Sequence, residues 1–222
     1  MTATLLSINV GTPVAVDWAN PVGATSIMKK AVTGPVRVGE LGVEGDDVAD
    51  KKYHGGIYQA VYAFAREDLD LWSERLGRPI DNGQFAENLT TSGIDVNESL
   101  IGERWRIGST VFEVVEVRIP CNVFKRWMGL SGFDAKAWVK RFAAEGRPGP
   151  YLRVVEPGHI TAGDAITVVH RPDHEVTVSM MFKAFTTDRS LLPRLLEAGE
   201  ALPPQPRAAA QEAADKLGVT SS

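Results

Sequence analysis

Short apolar runs of strand length dominate the first 170 residues of this 222-residue chain. Glycine, proline, asparagine and aspartate separate these runs, which is typical of short strands joined by turns. The clearest hairpin covers residues 100–118, where two β-rich arms flank Gly108 and Ser109. Further strands are predicted within residues 4–11, 34–46, 59–65 and 151–170. The spacing predicts a mostly β fold with peripheral helices (α+β), built on a closed or nearly closed β-barrel.

Two segments interrupt the strand pattern with helical periodicity. Residues 66–77 place Leu69, Trp72 and Leu76 at i, i+3 and i+7, so they are predicted to form an amphipathic helix. Residues 133–146 have a similar pattern of apolar positions. Both segments finish on a glycine, which is favoured directly after the last turn of a helix.

The character of the chain changes after His170. Residues 188–200 and 203–218 are predicted to form short amphipathic helices, separated by prolines. We therefore expect two parts, a β-barrel domain at residues 1–172 and a small helical segment at residues 173–222. The last four residues are expected to be frayed.

Composition narrows the class of protein. The chain is 44% hydrophobic and 23% charged with a formal net charge of −4, so we expect neither nucleic acid nor a membrane as a partner. A single cysteine excludes an intrachain disulfide. The sequence shows neither a signal-peptide pattern nor an apolar run long enough to cross a membrane. A cytoplasmic protein is the expectation.

The single cysteine, Cys121, follows a proline near the end of an apolar β-type run. One interpretation is a buried thiol that packs as a small hydrophobe. The other places it at the mouth of the barrel, where a strand gives way to a helix and Arg118 supplies a cation three residues upstream. A thiolate in such a place is a nucleophile or a soft metal ligand.

Two further motifs offer polar groups for a ligand. His54 precedes Gly55 and Gly56, whose amides are suited to an anion-binding concavity; the alternative is a plain turn. Glu87 and Asn88, in the stretch FAENLT, are placed to orient polar ligand atoms; the alternative is a turn in which Asn88 bonds its own backbone.

An acidic run at residues 44–52 resembles a divalent-metal loop but lacks the spacing of an EF-hand. We favour a solvated turn in which Asp46 accepts hydrogen bonds from backbone amides. The histidines after residue 150 form no zinc pattern with Cys121, so a structural zinc site is not expected.

Taken in order, four motifs of the chain resemble MOSC-domain proteins. They are GVEGDDVADKKYHGG with QAVYAF, then FAENLTTSGID, then IGERWRIGSTVFEVVEVRIPC, then GRPGPYLRVVEPGHITAGDAITVV. The resemblance covers about residues 5–205 and points to the YiiM-like bacterial branch, which carries a three-helix C-terminal segment. It implies a β-barrel of the pyruvate-kinase barrel-domain type.

The resemblance also implies a function, an oxidoreductase that binds the molybdenum cofactor in its molybdopterin form. Such proteins reduce N-hydroxylated substrates, including N-hydroxylated base analogues, with electrons from a separate redox partner protein. In related members the cysteine that matches Cys121 is a thiolate ligand of molybdenum, and the implied catalytic residues here are Cys121 and His54. The implied cofactor-binding residues are Lys29, His54, Gly55, Gly56, Phe85, Glu87, Asn88, Arg118 and Arg153.

The chain departs from the usual family motifs at five positions. Ala86 stands where the family has glycine, so a positive φ there is expected to be strained. Glu116 and Val117 replace a glutamine and a proline, and Ile57 and Gln59 replace a proline and a basic residue. These departures put cofactor binding and turnover in question.

Three functions therefore remain open on the sequence. They are the molybdenum-cofactor reductase, a cofactor or sulfur carrier without turnover, and a cofactor-free hydrolase that uses Cys121 and His54. For the helical C-terminal segment we expect packing on the barrel, with docking of the redox partner or formation of a homodimer as alternatives.

Overall fold

The computed structural model describes residues 2–52 and 54–218, so Tyr53 of the predicted glycine turn and the predicted frayed end at 219–222 lie outside the described residues. The strands are β1 (Thr4–Val10), β2 (Val14–Ala15), β3 (Ala24–Thr25), β4 (Lys30–Val32), β5 (Val36–Gly39), β6 (Gly42–Val43), β7 (Val61–Ala65), β8 (Leu89–Ser92), β9 (Arg104–Ile107), β10 (Thr110–Val117), β11 (Pro150–Glu156), β12 (Gly158–Ile160) and β13 (Ile166–His170). The helices are α1 (Arg66–Leu76), α2 (Asn122–Leu130), α3 (Trp138–Glu145), α4 (Val178–Thr186) and α5 (Pro204–Leu217), with 3₁₀ segments at Ile57–Gln59 and Arg189–Ala201.

A large sheet of eight strands organises the molecule, in the order β13-β9-β10-β11-β7-β8-β1-β4. Adjacent strands in this sheet are antiparallel, except for β7 and β8, which are parallel. Strands β12, β5 and β6 form a small second sheet, and β2 pairs with β3. The predicted α+β class is confirmed, and its main strands form one large sheet.

The prediction of a closed barrel is wrong for the residues that the structure describes. The ends of the large sheet approach each other, because the Leu5 amide donates to Asp164 O at 2.9 Å and the Gly163 amide donates to Leu5 O at 2.7 Å. Among the described residues, an isolated bridge pairs Thr4 with Ala165, and the Ile166 amide donates to Ala3 O at 2.8 Å, but no continuous ladder joins the two segments. Strand β4 pairs with the second half of β1, so the sheet carries an extra edge strand there instead of a closing ladder.

Local pattern predicted several elements well. The hairpin β9–β10 turns at the expected Gly108 and Ser109. Helix α1 ends at Gly77, which adopts the left-handed conformation at φ 66°. Helix α3 begins later than predicted, since Ala137 directly before it has φ 51°. The residues from 133 to that point form turns instead.

An aromatic cluster ties α1, α2 and α3 together under the sheet. Trp72, Phe85, Phe124, Trp138 and Phe142 are all fully buried or nearly so. Their ring centroids lie 4.8–6.2 Å apart in mostly tilted and edge-to-face pairs, which favours a rigid arrangement. Because Phe124 lies in the first turn of α2, the cluster fixes the start of that helix.

The C-terminal segment shares this core. Val176, Met181 and Phe182 are fully buried within the same hydrophobic cluster as the strands. The segment contains α4, the long 3₁₀ segment and α5. The boundary predicted near residue 172 stays a prediction. Among the described residues, no helix has the length and apolar character needed to cross a bilayer.

Candidate active site

A cavity of about 430 Å³ opens between the end of β10, the loop before β4 and the glycine turn. It is lined by seven of the residues expected to bind the cofactor or the metal, namely Lys29, His54, Gly55, Gly56, Asn88, Arg118 and Cys121. Three other predicted residues, Phe85, Glu87 and Arg153, do not line it. The volume lies in the range of small-molecule and cofactor sites.

Cys121 stands at the point where β10 has ended and α2 begins. It is the residue directly before the first turn of α2, with extended backbone at φ −118° and ψ 172°. Its thiol is free and its side chain only half-buried, partly against the core and partly at the cavity. The structure therefore does not support the interpretation of Cys121 as a sealed core residue.

Arg118 brings a buried cation to the same wall. The residue is 8% exposed, and its guanidinium donates to the carbonyl oxygen of Phe85. It also lies over the rings of Phe124 and Tyr62, 4.2 and 5.0 Å from their centroids. The guanidinium is close enough to Cys121 for the two to interact electrostatically. Rigid rings on two sides fix this cation beside the thiol.

Lys29 and Asn88 are held by Asp46. The Lys29 ammonium pairs with Asp46 Oδ1, which also accepts from the Gly11 amide at 2.7 Å. Asp46 Oδ2 accepts from Asn88 Nδ2 at 2.8 Å. Asp46 thus accepts from a backbone amide, as predicted, but it also orders two residues of the cavity wall. Burial lowers the pKa of Lys29, and Asp46 opposes that shift.

The glycine turn forms the facing wall. Gly55 and Gly56 have φ values of 84° and 76°, a conformation that side chains with a Cβ rarely adopt. Among the described residues, no partner accepts a hydrogen bond from either amide. Two unpaired amides beside a cavity are suited to bind an anionic oxygen.

His54 lies at the rim of the cavity, with part of its side chain exposed to solvent. The surrounding protein still desolvates the ring partly, and this lowers the pKa of His54. The Arg118 charge lowers it further, while Asp50 and the side-chain amide of Gln59 oppose the shift. The lowered pKa favours the neutral imidazole near pH 7.

Glu87 and Phe85 do not line the cavity; Glu87 acts through its side-chain carboxyl and Phe85 through its backbone carbonyl. Fully buried, Glu87 accepts from the Gly83 and Phe85 amides at 2.5 and 3.1 Å, and from the Thr90 hydroxyl at 2.9 Å. Burial raises the pKa of this carboxyl, and these donors oppose the shift. Glu87 therefore holds the turn that presents the Phe85 carbonyl to Arg118.

Arg153 lies away from the cavity. Its Nη2 is 2.8 Å from Glu113 Oε1, on the neighbouring strand β10. Arg104 Nε binds the other oxygen of Glu113 at 2.7 Å. Because Glu113 is 3% exposed, the two arginines neutralise a buried carboxylate, and the structure does not bring Arg153 to a cofactor phosphate.

The sequence did not single out several residues that line the cavity. The rings of Tyr62 and Tyr151 form a tilted pair with 5.3 Å between their centroids, and burial raises the pKa of both hydroxyls. Ser26 Oγ and Gln59 Oε1 are buried without a hydrogen-bond partner among the described residues, although both residues line the cavity. Only pairing across the sheet brings the tyrosines together, so no local pattern marks them.

Comparison with known proteins assigns the chain that forms this cavity to a family. The family model for the MOSC domain matches residues 50–167, more than half of the chain. The chain belongs to the MOSC-domain family. The matched region contains the glycine turn, the Glu87 turn and the strand that leads to Cys121.

Individual relatives extend the match beyond the domain. Protein YiiM from Escherichia coli strain K12 is 30% identical over 164 residues, 72% of this chain and 70% of that protein. The crystal structure of YiiM from Geobacillus stearothermophilus superposes with a TM-score of 0.76 at 25% identity, over 95% of this chain and 98% of that one. A protein called reductase from Gibberella moniliformis strain M3125 is 33% identical over 152 residues, 67% of this chain but 26% of that protein.

The residues present at the cavity of this MOSC protein fit an anionic, sulfur-liganded cofactor. The free thiol of Cys121 is a soft ligand, and the Arg118 guanidinium and the glycine amides supply charge and donors for phosphate or pterin oxygens. Ser26 Oγ offers a further polar group that no protein atom satisfies among the described residues. The described residues contain no group of three or more His, Cys, Asp or Glu side chains arranged to hold a metal ion.

Proposed function

We propose that this protein is a molybdenum-cofactor oxidoreductase that reduces N-hydroxylated substrates, with electrons from a separate redox partner. The observation that carries the proposal is the half-buried Cys121 thiol, which shares one cavity with Arg118 and the unpaired amides of Gly55 and Gly56. Membership of the MOSC family and the similarity to a fungal reductase support it.

The cofactor, when bound, supplies two-electron chemistry at a metal held by the Cys121 thiolate. Arg118 and the two glycine amides would hold its phosphate and pterin oxygens, and Lys29, oriented by Asp46, would add a cation. The overall reaction takes R–NHOH, two electrons and two protons to R–NH₂ and water. The N–O bond breaks, nitrogen is reduced, and both protons come from solvent through groups at the cavity.

His54 is the residue proposed to transfer a proton to the departing oxygen. It lines the cavity, and its lowered pKa favours the neutral ring at pH 7. Protonated His54 becomes more abundant as the pH falls toward that pKa, so the rate of N–O reduction is expected to rise as the pH falls through this range.

The test is a reduction assay on cofactor-loaded protein, with reduced methyl viologen as the electron donor. We expect an N-hydroxylated purine to be converted to its amino form, and we expect Cys121→Ser to abolish the conversion. A Leu130→Ser variant, at an exposed position on the last turn of α2, is the matched control and is expected to keep full activity. Cofactor-loaded protein that reduces no N-hydroxylated compound would support the carrier function instead.

A further inference from the structure

Among the described residues, the His54 imidazole has no hydrogen-bond partner of good geometry to set its orientation. Within residues 2–52 and 54–218, no hydrogen bond of normal length and angle reaches either ring nitrogen of His54, although the Gln59 side chain is close enough to interact with the ring. His174 shows the contrast, since its Nε2 lies 2.9 Å from Ile101 O and its Nδ1 accepts from the Val176 amide at 3.1 Å. A histidine that transfers protons needs one nitrogen fixed so that the other faces the substrate.

Gln59 supplies a suitably placed acceptor. Its Nε2 donates to Glu116 Oε2 at 3.3 Å. An ionised carboxylate only accepts hydrogen bonds, so this contact fixes which end of the Gln59 amide faces Glu116 and directs Oε1 the other way. Gln59 Oε1 is buried and has no partner within the described part of the chain, which is an unfavourable state for an acceptor.

His54 is the donor within reach of this oxygen. Gln59 and His54 line the same cavity and lie on either side of the two glycines of one short turn. The Gln59 side chain raises the pKa of His54, which requires the amide and the ring to be close together.

We propose that Glu116 and Gln59 are positioning residues that fix the orientation and the proton of His54. Glu116 orients the Gln59 amide, Gln59 Oε1 accepts one ring N–H of His54, and the second ring nitrogen is left to face the cavity. The assignment of that second nitrogen to N–O reduction rests on the proposed function, whereas the positioning itself does not. Both positioning residues stand at positions where this chain departs from the usual motifs of its family.

The other charges around His54 come from separate segments. Arg118, at the end of β10, lowers the pKa of His54, and Asp50, in the loop before it, raises the pKa. Asp46, Asp47 and Lys51 also line the cavity. Burial raises the pKa of Glu116, and its contact with Gln59 opposes this shift. Arg118 and Asp50 act on His54 through their charges, whereas Gln59 acts as a side-chain hydrogen-bond partner, so removing Gln59 has a separate effect.

The experiment measures the pKa and the tautomer of His54 by ¹⁵N NMR on the full-length chain, which contains only four histidines. We expect Gln59→Leu to lower the pKa of His54 by several tenths of a unit, because the cationic ring loses an acceptor. The neutral ring is expected to change from one dominant tautomer to a mixture. Glu116→Gln is expected to produce a smaller change in the same direction, because the Gln59 amide is then free to flip.

Ile57→Ala is the matched control, since Ile57 lies in the same turn, is 39% exposed and has no polar side-chain group. His174 serves as the internal reference and should not change in any variant. An unchanged pKa and tautomer of His54 in Gln59→Leu, or an equal change in Ile57→Ala, would overturn the positioning role.

The same variants separate this inference from the proposed function. If cofactor-loaded wild type reduces N-hydroxylated compounds, we expect the pH–rate profile of Gln59→Leu to shift toward lower pH together with the His54 pKa. A wild-type protein without N–O reduction whose His54 nevertheless responds to Gln59→Leu would refute the proposed function and leave the positioning intact.

Discussion

Ala86 combines a side chain with a backbone conformation that favours glycine. Its φ is 62°, and it lines the cavity between the Phe85 carbonyl, which binds Arg118, and the buried Glu87. The strain expected from the sequence at this position is therefore present. A left-handed conformation costs an ordinary residue roughly 1 kcal/mol, and the surrounding hydrogen bonds of Glu87 maintain it.

Ala86→Gly is expected to stabilise the protein by about 0.5–1 kcal/mol, because glycine adopts this φ without strain. The larger entropy of glycine in the unfolded chain offsets part of this gain. Urea denaturation measures the change in the free energy of unfolding. Ala143→Gly, inside α3, is the control and should instead destabilise by about 1 kcal/mol. A destabilised Ala86→Gly protein would show that the Ala86 methyl contributes more by packing than it costs in strain.

Residue types near the site were predictable where a local rule applies. A His-Gly-Gly turn requires positive φ, and a cysteine after a β-run and a proline marks the end of a strand. The sequence did not indicate that Arg153 pairs with Glu113, because this pairing is set by the register between β10 and β11. That register depends on bulges in the ladder, which no pattern within either strand encodes.

At the scale of elements, the turn between α1 and β8 positions the buried cation of the site. Glu87 accepts from two amides within the turn and from Thr90 on β8, so it fastens the turn to the sheet. Arg118, from the end of β10, binds the carbonyl of the same turn at Phe85. Loss of the Glu87 contacts should therefore loosen both the turn and the cavity wall.

Glu87→Gln is expected to destabilise the protein by about 1–3 kcal/mol. One carboxylate oxygen becomes an NH₂ group that faces a backbone donor, so a buried amide loses its acceptor. Thermal and urea unfolding measure the loss. Glu98→Gln, at an exposed carboxyl six residues beyond β8, is the control and should change stability by less than about 0.5 kcal/mol. Equal stability of Glu87→Gln and wild type would contradict this role for the turn.

Periodicity predicted whole helices and strands correctly where the residues that define them are close in sequence. The β9–β10 hairpin and α1 were predicted because turn residues, apolar spacing and a terminal glycine agree. Helix α4 was not delimited from the sequence, although Thr177 caps its start by accepting from the Met180 amide. Its residues Val178, Met181 and Phe182 are buried against elements distant in sequence, such as β10. The start of α3 was predicted too early. Ala137 adopts a positive φ directly before the helix, and an alanine in the sequence does not indicate such a conformation.

At the scale of the molecule, strand count and spacing predicted the large sheet but not how it ends. The sheet would close into a barrel if β1 paired along its whole length with the segment before β13. Strand β4 instead pairs with the second half of β1 on that side. The cavity likewise forms from segments distant in sequence, near residues 29, 54–59 and 118–121. The resemblance to MOSC-domain proteins, and not periodicity, brought most of these residues together.

Acidic and basic side chains both line the cavity, so their charges alone give it little attraction for an anionic cofactor. Asp46, Asp47 and Asp50 line it together with Lys29, Lys51 and Arg118. Lys29 is paired with Asp46 and Lys51 with Asp47, so Arg118 is the lining lysine or arginine without an ion-pair partner among the described residues. Retention of a phosphorylated cofactor should therefore depend strongly on the bond between its metal and Cys121.

Molybdenum content per chain tests that dependence most directly. Wild type from a host that makes the cofactor is expected to carry close to one molybdenum per chain by mass spectrometry. Cys121→Ser should lose the metal at an unchanged melting temperature, while Leu130→Ser keeps it. Metal-free wild type of native fold, or Cys121→Ser that retains full molybdenum, would contradict the account.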